Sequence, residues 1–262
     1  MSENADYLKK LREFWEIDDP TELKFNRVET IYGNDRNDNL FNKLTDERVD
    51  WILRDLDLPH APHILEIGCG IGAVLERILA RIPHANVRGL DISQQMITAA
   101  REALSHHPKV DLQVSNGDSL VGIPDHSMDL VICTGVFIHI TDIDVIKKYL
   151  SEVRRVLKPD ATFRFNGRYW NPMYSFGDSL GGRLAKFLHR MGWYSAFKKN
   201  VDAKAQCDFN GIYFTTHDIE SLVYGSGLSI ERLILDNTEV HKPGGYFRAN
   251  CRLYDQSNKA SG

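Results

Sequence analysis

Paired cysteines, long apolar runs and a strong excess of either charge are all missing from this chain of 262 residues. The four cysteines, Cys69, Cys133, Cys207 and Cys251, stand far apart with no Cys-x-x-Cys pair. That spacing argues against a structural zinc site and offers no disulfide framework, so free thiols are expected. The ten histidines are scattered without a His-x-x-x-His pair, so no two are set on one helical face as ligands, and no metal is predicted. No stretch approaches the about 20 apolar residues that span a bilayer, and the start MSENADYLKK is polar where a signal peptide needs an apolar run. A soluble, cytoplasmic protein without a transmembrane segment is the expectation. Charge nearly balances: 32 Lys+Arg against 36 Asp+Glu leave −4, so global charge proposes neither a nucleic-acid partner nor an anionic membrane. Neither internal repeats nor low-complexity tracts appear, which removes solenoid and linker readings.

What the chain does have is a change of rhythm. Leu8, Leu11, Phe14 and Trp15 recur at helical spacing, and a second such pattern runs through Val49, Ile52, Leu53 and Leu56 behind a candidate cap at Thr45. Between them Tyr32 to Asn39 is so rich in turn formers that a loop is predicted. From His63 short apolar runs alternate with amphipathic helices, the pattern of a parallel sheet covered on both faces. Strands are predicted near 63–67, 86–91, 110–115, 128–134, 162–168, 229–235 and 246–253. Helices are predicted near 72–81, 93–105, 142–157 and 217–226, with Ser93, Thr141 or Asp142, and Thr216 at their starts. The organisation expected is an N-terminal helical cap over 1–60, a core over 61–168, an inserted substrate or lid segment over 169–210, and the rest of the core over 211–262.

One motif concentrates the chemistry. His63-Ile64-Leu65-Glu66-Ile67-Gly68-Cys69-Gly70-Ile71-Gly72 runs an apolar strand into a glycine-rich turn and then into the helical pattern Val74, Leu75, Ile78, Leu79. Glycines there permit positive φ and close backbone approach. A ligand's anionic part can then face the N–H groups that open the next helix, at the carboxyl end of a strand where open α/β sheets bind ligands. Nineteen residues beyond Gly72 the second strand ends in Asp91, whose carboxylate can accept from both hydroxyls of a ribose. Strand, turn, helix, strand and acid in this order indicate a nucleoside-containing cofactor. Gly68, Gly70 and Ala73 equally satisfy the dinucleotide pattern G-x-G-x-x-G/A, so a nicotinamide-dependent oxidoreductase, or a non-catalytic cofactor-binding protein, stands as an alternative.

Three features tilt the choice: the third glycine at Gly72, Glu66 just before the turn, and the Asn116-Gly117-Asp118 turn after the third strand. With them, the stretch 63–165 resembles class I S-adenosylmethionine-dependent methyltransferases. The resemblance implies a Rossmann-like α/β fold, a seven-stranded mostly parallel sheet in the order 3-2-1-4-5-7-6 with helices on both faces. It implies S-adenosylmethionine as cofactor and S-adenosylhomocysteine as its product. Gly68, Cys69, Gly70 and Gly72 would form the turn under the methionine end, with Glu66 close to it. Asp91 would hold the ribose, Ile92 and Met96 would border the adenine, and Asp118, in its turn with Gly117, would accept from the exocyclic amine. For Met96 a plain role as a helix residue packed on the sheet is equally open. The fourth strand, ending in Cys133 and Thr134, matches the segment that passes the sulfonium. Leu157-Lys158-Pro159-Asp160 resembles the turn before strand five, with Asp160-Ala161 where relatives often carry Gly-Gly.

Methyl transfer from a sulfonium is an in-line displacement on an activated carbon, so alignment and exclusion of water matter more than a nucleophile. If the acceptor loses a proton, a histidine suits neutral pH, and His139 is the candidate as base or acceptor-positioning residue, against a role in the fold alone. Tyr32, Arg168, Trp170 and Tyr174 join His139 as candidate acceptor-binding residues. Residues 164–204 are locally basic, and Leu180, Leu184, Phe187, Leu188 and Met191 fall on one helical face. A small-molecule acceptor, anionic or amphiphilic, is the expectation, against a solvated basic face over ordinary core. The acceptor atom and the oligomeric state have no signal in the sequence.

Overall fold

A computed structural model describes residues 3–16, 38–107, 109–170, 212–236 and 244–254. The predicted lid 169–210 lies outside these residues except for 169 and 170, as does the predicted loop up to residue 37. The chain divides into two compact units, Met1–Ile132 with Val156–Thr162, and Cys133–Arg155 with Phe163–Gly262.

The first unit opens with α1 (Glu3–Trp15) and α2 (Asp38–Leu53). In α2 the residues Thr45, Val49 and Ile52 are buried at helical spacing. Thr45 lies inside this helix and does not cap it, since its hydroxyl donates to the carbonyl of Phe41 at 2.8 Å, one turn back. A ladder of ion pairs and a hydrogen bond ties α2 to α3 (Ala73–Arg81): Arg77 donates to Asn42 at 2.6 Å, and Arg81 pairs with Asp50 at 2.8 Å. Strands β1 (His63–Ile67), β2 (Asn86–Asp91), β3 (Val110–Val114) and β4 (Met128–Cys133) run parallel where paired, β1 lying between β2 and β4, and β3 outside β2. Helix α4 (Gln94–Ala103) follows β2, capped by Ser93, whose hydroxyl accepts from the N–H of Met96. Both α3 and α4 bury an apolar stripe, Val74, Leu75, Ile78 and Leu79 in one and Met96, Ile97 and Ala100 in the other.

The second unit holds α5 (Ile143–Val156, all but its last residue), the later part of β5 (Leu157–Trp170), β6 (Tyr213–Phe214), α6 (Thr216–Gly225), β7 (Leu228–Asp236) and β8 (Gly244–Leu253). Strand β8 pairs antiparallel with both β5 and β7. Residues opposite one another in such pairs share a face, so Phe163, Phe165 and Phe247 lie on one side of this sheet and Arg164, Asn166, Arg168 and Arg248 on the other. The apolar side is an aromatic cluster: Phe165 lies 4.9 Å from Phe163, 5.6 Å from Phe137 and 5.5 Å from Phe247 between ring centroids. Helix α6 starts one residue earlier than predicted, because Thr215 forms a reciprocal capping box with Asp218. Burial among the same apolar side chains pushes the Cys251 thiol well above its usual range.

The strand order is β3-β2-β1-β4-β5-β8-β7, the order the resemblance implied, with the antiparallel pair last. The seven expected strands make up this path, and among the described residues the two-residue β6 adds a short eighth, pairing in parallel with Arg168 and Tyr169 of β5. Strand five starts earlier than predicted, at Leu157, and takes in the residues read as its preceding turn. Asp160 there has φ 63°, a left-handed conformation that aspartate tolerates and that glycine would take freely. Among the described residues no helix is long and apolar enough to cross a membrane.

Phe165→Ala removes a ring that touches three others and should cost about 3–5 kcal/mol. Urea unfolding should show a lower midpoint at an unchanged slope.

Candidate functional site

In the first unit the glycine-rich turn is built by left-handed backbone. Gly68, Gly70 and Gly72 have φ of 72°, 53° and 82°. Side chains at these angles would place Cβ against a carbonyl oxygen, which is why the sequence needs glycine at each. Gly72 carries a further requirement. A Cβ there would come within 2.9 Å of Leu104 and 3.3 Å of Ala100, so the third glycine lets α4 and the residue after it pack against the turn. Gly72 is also the N-cap of α3 and supplies no side-chain cap.

The turn is anchored to the tip of β2. The N–H groups of Gly68 and Cys69 both donate to the carbonyl of Leu90, at 2.6 and 3.0 Å. The N–H of Gly70 donates to Asp91 Oδ2 at 2.8 Å, and the N–H of Ser93 donates to Asp91 Oδ1 at 3.0 Å. The Asp91 side chain therefore points at the turn, and the residue is only 8% exposed. Glu66, the buried penultimate residue of β1, is 2% exposed and stands opposite Gly89 in the β1–β2 register. A Cβ on Gly89 would lie 2.9 Å from the sulfur of Cys69, so this cysteine's side chain faces the sheet, leaving its backbone to the turn.

Beyond β2, Ile92 is half-buried and Met96 is 3% exposed within α4. The turn after β3 is held by its own polar atoms: Gly117 N–H donates to Ser115 Oγ at 3.2 Å, and Asp118 N–H donates to Asn116 Oδ1 at 3.3 Å. Gly117 has φ 96°, and a Cβ on it would meet Ile92 at 2.8 Å, so the adenine-side candidates Ile92 and Gly117 are immediate neighbours. The first unit thus brings together Glu66, Gly68, Cys69, Gly70, Gly72, Asp91, Ile92, Met96, Gly117 and Asp118 along the ends of three parallel strands.

Cys133, Thr134, His139 and Arg168 belong to the second unit. Cys133 is fully buried, and the hydroxyl of Thr134, at 2% exposure, has no hydrogen-bond partner among the described residues. His139 is half-buried in a tight turn closed by its N–H on the carbonyl of Val136 at 2.9 Å. Arg168 reaches the same turn: its Nε donates to the carbonyl of Ile138 at 3.2 Å and its Nη1 to the hydroxyl of Tyr213 at 3.0 Å. Its guanidinium carbon also stands 5.4 Å from the Tyr213 ring centre. Tyr213 was missed from the sequence; its position two residues ahead of the Thr215 cap is the only local signal, and the β5–β6 pairing that brings it to Arg168 is not local. Trp170 ends β5, while Tyr32 and Tyr174 lie outside the described residues.

Residues 64–160 match the family model described as Methyltransferase domain. The ubiquinone biosynthesis O-methyltransferase of Neisseria meningitidis serogroup C is 26% identical over 161 residues, covering 60% of this chain and 66% of the relative. The malonyl-[acyl-carrier protein] O-methyltransferase of Geobacter sulfurreducens is 27% identical over 179 residues, covering 68% of this chain and 60% of the relative. The chain thus spans somewhat less than two thirds of the length of these curated relatives. Among solved structures, geranyl diphosphate C-methyltransferase from Streptomyces coelicolor A3(2), in complex with Mg2+, geranyl diphosphate and S-adenosyl-L-homocysteine, superposes with a TM-score of 0.62. It covers 94% of this chain and 97% of its own at 12% identity, a likeness of fold.

Replacing Gly72 by alanine forces a left-handed φ on a side chain that also meets Leu104. A loss of about 1–3 kcal/mol is expected, read as a lower thermal midpoint. Asp91→Ala strands two backbone N–H groups, each at about 1–3 kcal/mol, and should abolish detectable nucleoside-cofactor binding in titration calorimetry.

Proposed function

We propose that this chain, whose residues 64–160 belong to the methyltransferase domain family, is an S-adenosylmethionine-dependent methyltransferase acting on a small molecule. The observation that carries the reading is the buried Asp91 carboxylate joined to the N–H of Gly70, which sets a ribose acceptor beside a left-handed glycine turn. The residues fit the cofactor. Asp91 would receive the ribose hydroxyls, the turn from Gly68 to Gly72 and the opening of α3 the amino-acid tail, and Ile92, Met96, Gly117 and Asp118 the adenine. By the match of the fourth strand to the family's, Cys133 and Thr134 are assigned to the sulfonium, an assignment with which the buried Thr134 hydroxyl agrees.

When bound, the cofactor supplies an activated methyl group that needs no covalent help from the protein. The protein's tasks are then to align the acceptor, exclude water and, where the acceptor must lose its proton, take that proton. His139 is assigned the last task, with its turn steadied by Arg168 through the Ile138 carbonyl. Arg168 and Tyr213 are assigned to an anionic group on the acceptor, a guanidinium and a phenol on one face suiting a carboxylate or phosphate. The name of one relative, malonyl-[acyl-carrier protein] O-methyltransferase, agrees with this reading, since a malonyl group carries a carboxylate. Residues 169–210 are assigned to the remainder of the acceptor site, and 1–60 to a cap on the cofactor-binding core.

Titration with S-adenosylhomocysteine and, separately, with NAD and NADP tests the cofactor. Binding of the first without the others is expected, and tight nicotinamide-nucleotide binding alone would sink the proposal. For the acceptor, methyl transfer from labelled S-adenosylmethionine should favour carboxylate- or phosphate-bearing compounds over their neutral esters. Arg168→Met should raise KM for such compounds by about tenfold or more while leaving homocysteine-product binding unchanged. A shift confined to kcat would remove Arg168 from acceptor binding.

A further inference from the structure

The adenine end of the proposed cofactor site has a neighbour that the glycine motif does not announce. A Cβ on Gly117 would lie 2.8 Å from Ile92 Cδ1 and 3.1 Å from Leu8 Cδ2, so the side chain of Leu8, from α1, converges with Ile92 on one glycine. Leu8 is only half-buried, whereas Leu11 on the same helix is 5% exposed. An apolar side chain left partly open beside Ile92 and a glycine is the composition of a slot for a flat aromatic ring.

Polar contacts hold α1 in that place. Arg12 donates to the carbonyl of Ser115 at 3.4 Å, in the strand end that leads to Gly117. Glu16, one residue past the helix, receives the N–H of Gln94 at 2.9 Å, the hydroxyl of Ser93 at 3.1 Å and the N–H of Gln95 at 3.4 Å. Its carboxylate thus sits on the positive end of α4, where orphan N–H groups and the helix dipole favour an anion. Ser93 is shared, since its backbone N–H donates to Asp91 while its hydroxyl donates to Glu16. The residues that grip α1 are therefore the same short segments, 91–95 and 115–117, that would grip adenosine.

We infer that α1 is the outer wall of the adenosine pocket, with Leu8 lying against the adenine ring and Glu16 with Arg12 fastening the helix there. The inference rests on the assignment of Asp91, Ile92 and Gly117 to adenosine. It places Leu8 of the N-terminal helix against the ligand, with Arg12 and Glu16 as positioning residues, all three far from the glycine turn in sequence. Because the wall touches the adenosine half alone, its loss weakens any ligand that carries adenosine and leaves the amino-acid half unaffected.

The test uses full-length Leu8→Ala, Leu8→Met, Glu16→Gln and Lys9→Ala, titrated with S-adenosylhomocysteine and with methylthioadenosine, which lacks the amino-acid tail. Leu8→Ala should weaken both ligands by about five- to tenfold, Glu16→Gln should weaken both by less, and Leu8→Met should bind as wild type. Lys9, two-thirds exposed and paired only loosely with Glu13 at 3.7 Å, serves as the control and should change nothing. Thermal midpoints of the ligand-free variants show whether a loss comes from unfolding, and Leu8→Met must then fail as well for a purely structural role to hold. Unchanged binding in Leu8→Ala overturns the inference. So does tighter binding, which would mean that Leu8 occupies the slot. If the wild type binds neither ligand, the adenosine assignment itself falls, and the wall with it.

Discussion

The tie between the glycine turn and the tip of β2 is the constraint on which the first unit depends. Three successive N–H groups, of Gly68, Cys69 and Gly70, end on Leu90 and Asp91. No single strand pairing would hold a reversing backbone at that point, because a left-handed turn has left the ladder and must find acceptors elsewhere. The carboxylate of Asp91 closes the arrangement by also receiving Ser93, so one buried side chain sets the turn, the end of β2 and the start of α4 together. The carbonyl of Asp91 accepts Ser115 N–H at 2.7 Å, which extends the same tie to the end of β3.

This has a functional reading as well as a structural one. Under the proposed assignment, a ribose hydroxyl at Asp91 would join a carboxylate already oriented by the N–H groups of Gly70 and Ser93, so little ordering of that side chain would remain on binding. The same preorganisation makes the site sensitive to packing far from any ligand atom. Gly72 shows this, since its missing side chain is filled by Leu104 and Ala100, and its conformation decides where α3 begins.

The second unit follows a different logic. Its sheet separates an aromatic face, Phe163, Phe165 and Phe247, from a face carrying Arg164, Asn166, Arg168 and Arg248. Arginine on a sheet face costs desolvation unless its donors are met, and Arg168 meets that cost with a backbone carbonyl and a tyrosine hydroxyl. Asn166 similarly receives the N–H of Gly135 at 2.8 Å, which anchors the start of the segment leading to His139. Polar residues of β5 thus shape the loop that bears the candidate base.

Much of this was legible in order along the chain. The alternation of apolar runs and amphipathic stretches placed β1 to β4 to within a residue, since a buried parallel strand must be apolar on both faces, whereas it started β5 late and gave no sign of the two-residue β6. The spacing from Gly68 through Gly72 to Asp91 named the turn and its acid, because backbone conformation at a glycine and the length of one helix and strand are local properties. What the tertiary structure alone decided are the meetings between distant segments. Leu8 beside Gly117, Glu16 on the start of α4, Leu104 in the space above Gly72, and Tyr213 on Arg168 each join residues tens of positions apart or more. Periodicity reports which face of an element is apolar, yet it carries no record of which other element covers that face; only packing of the folded chain selects the partner.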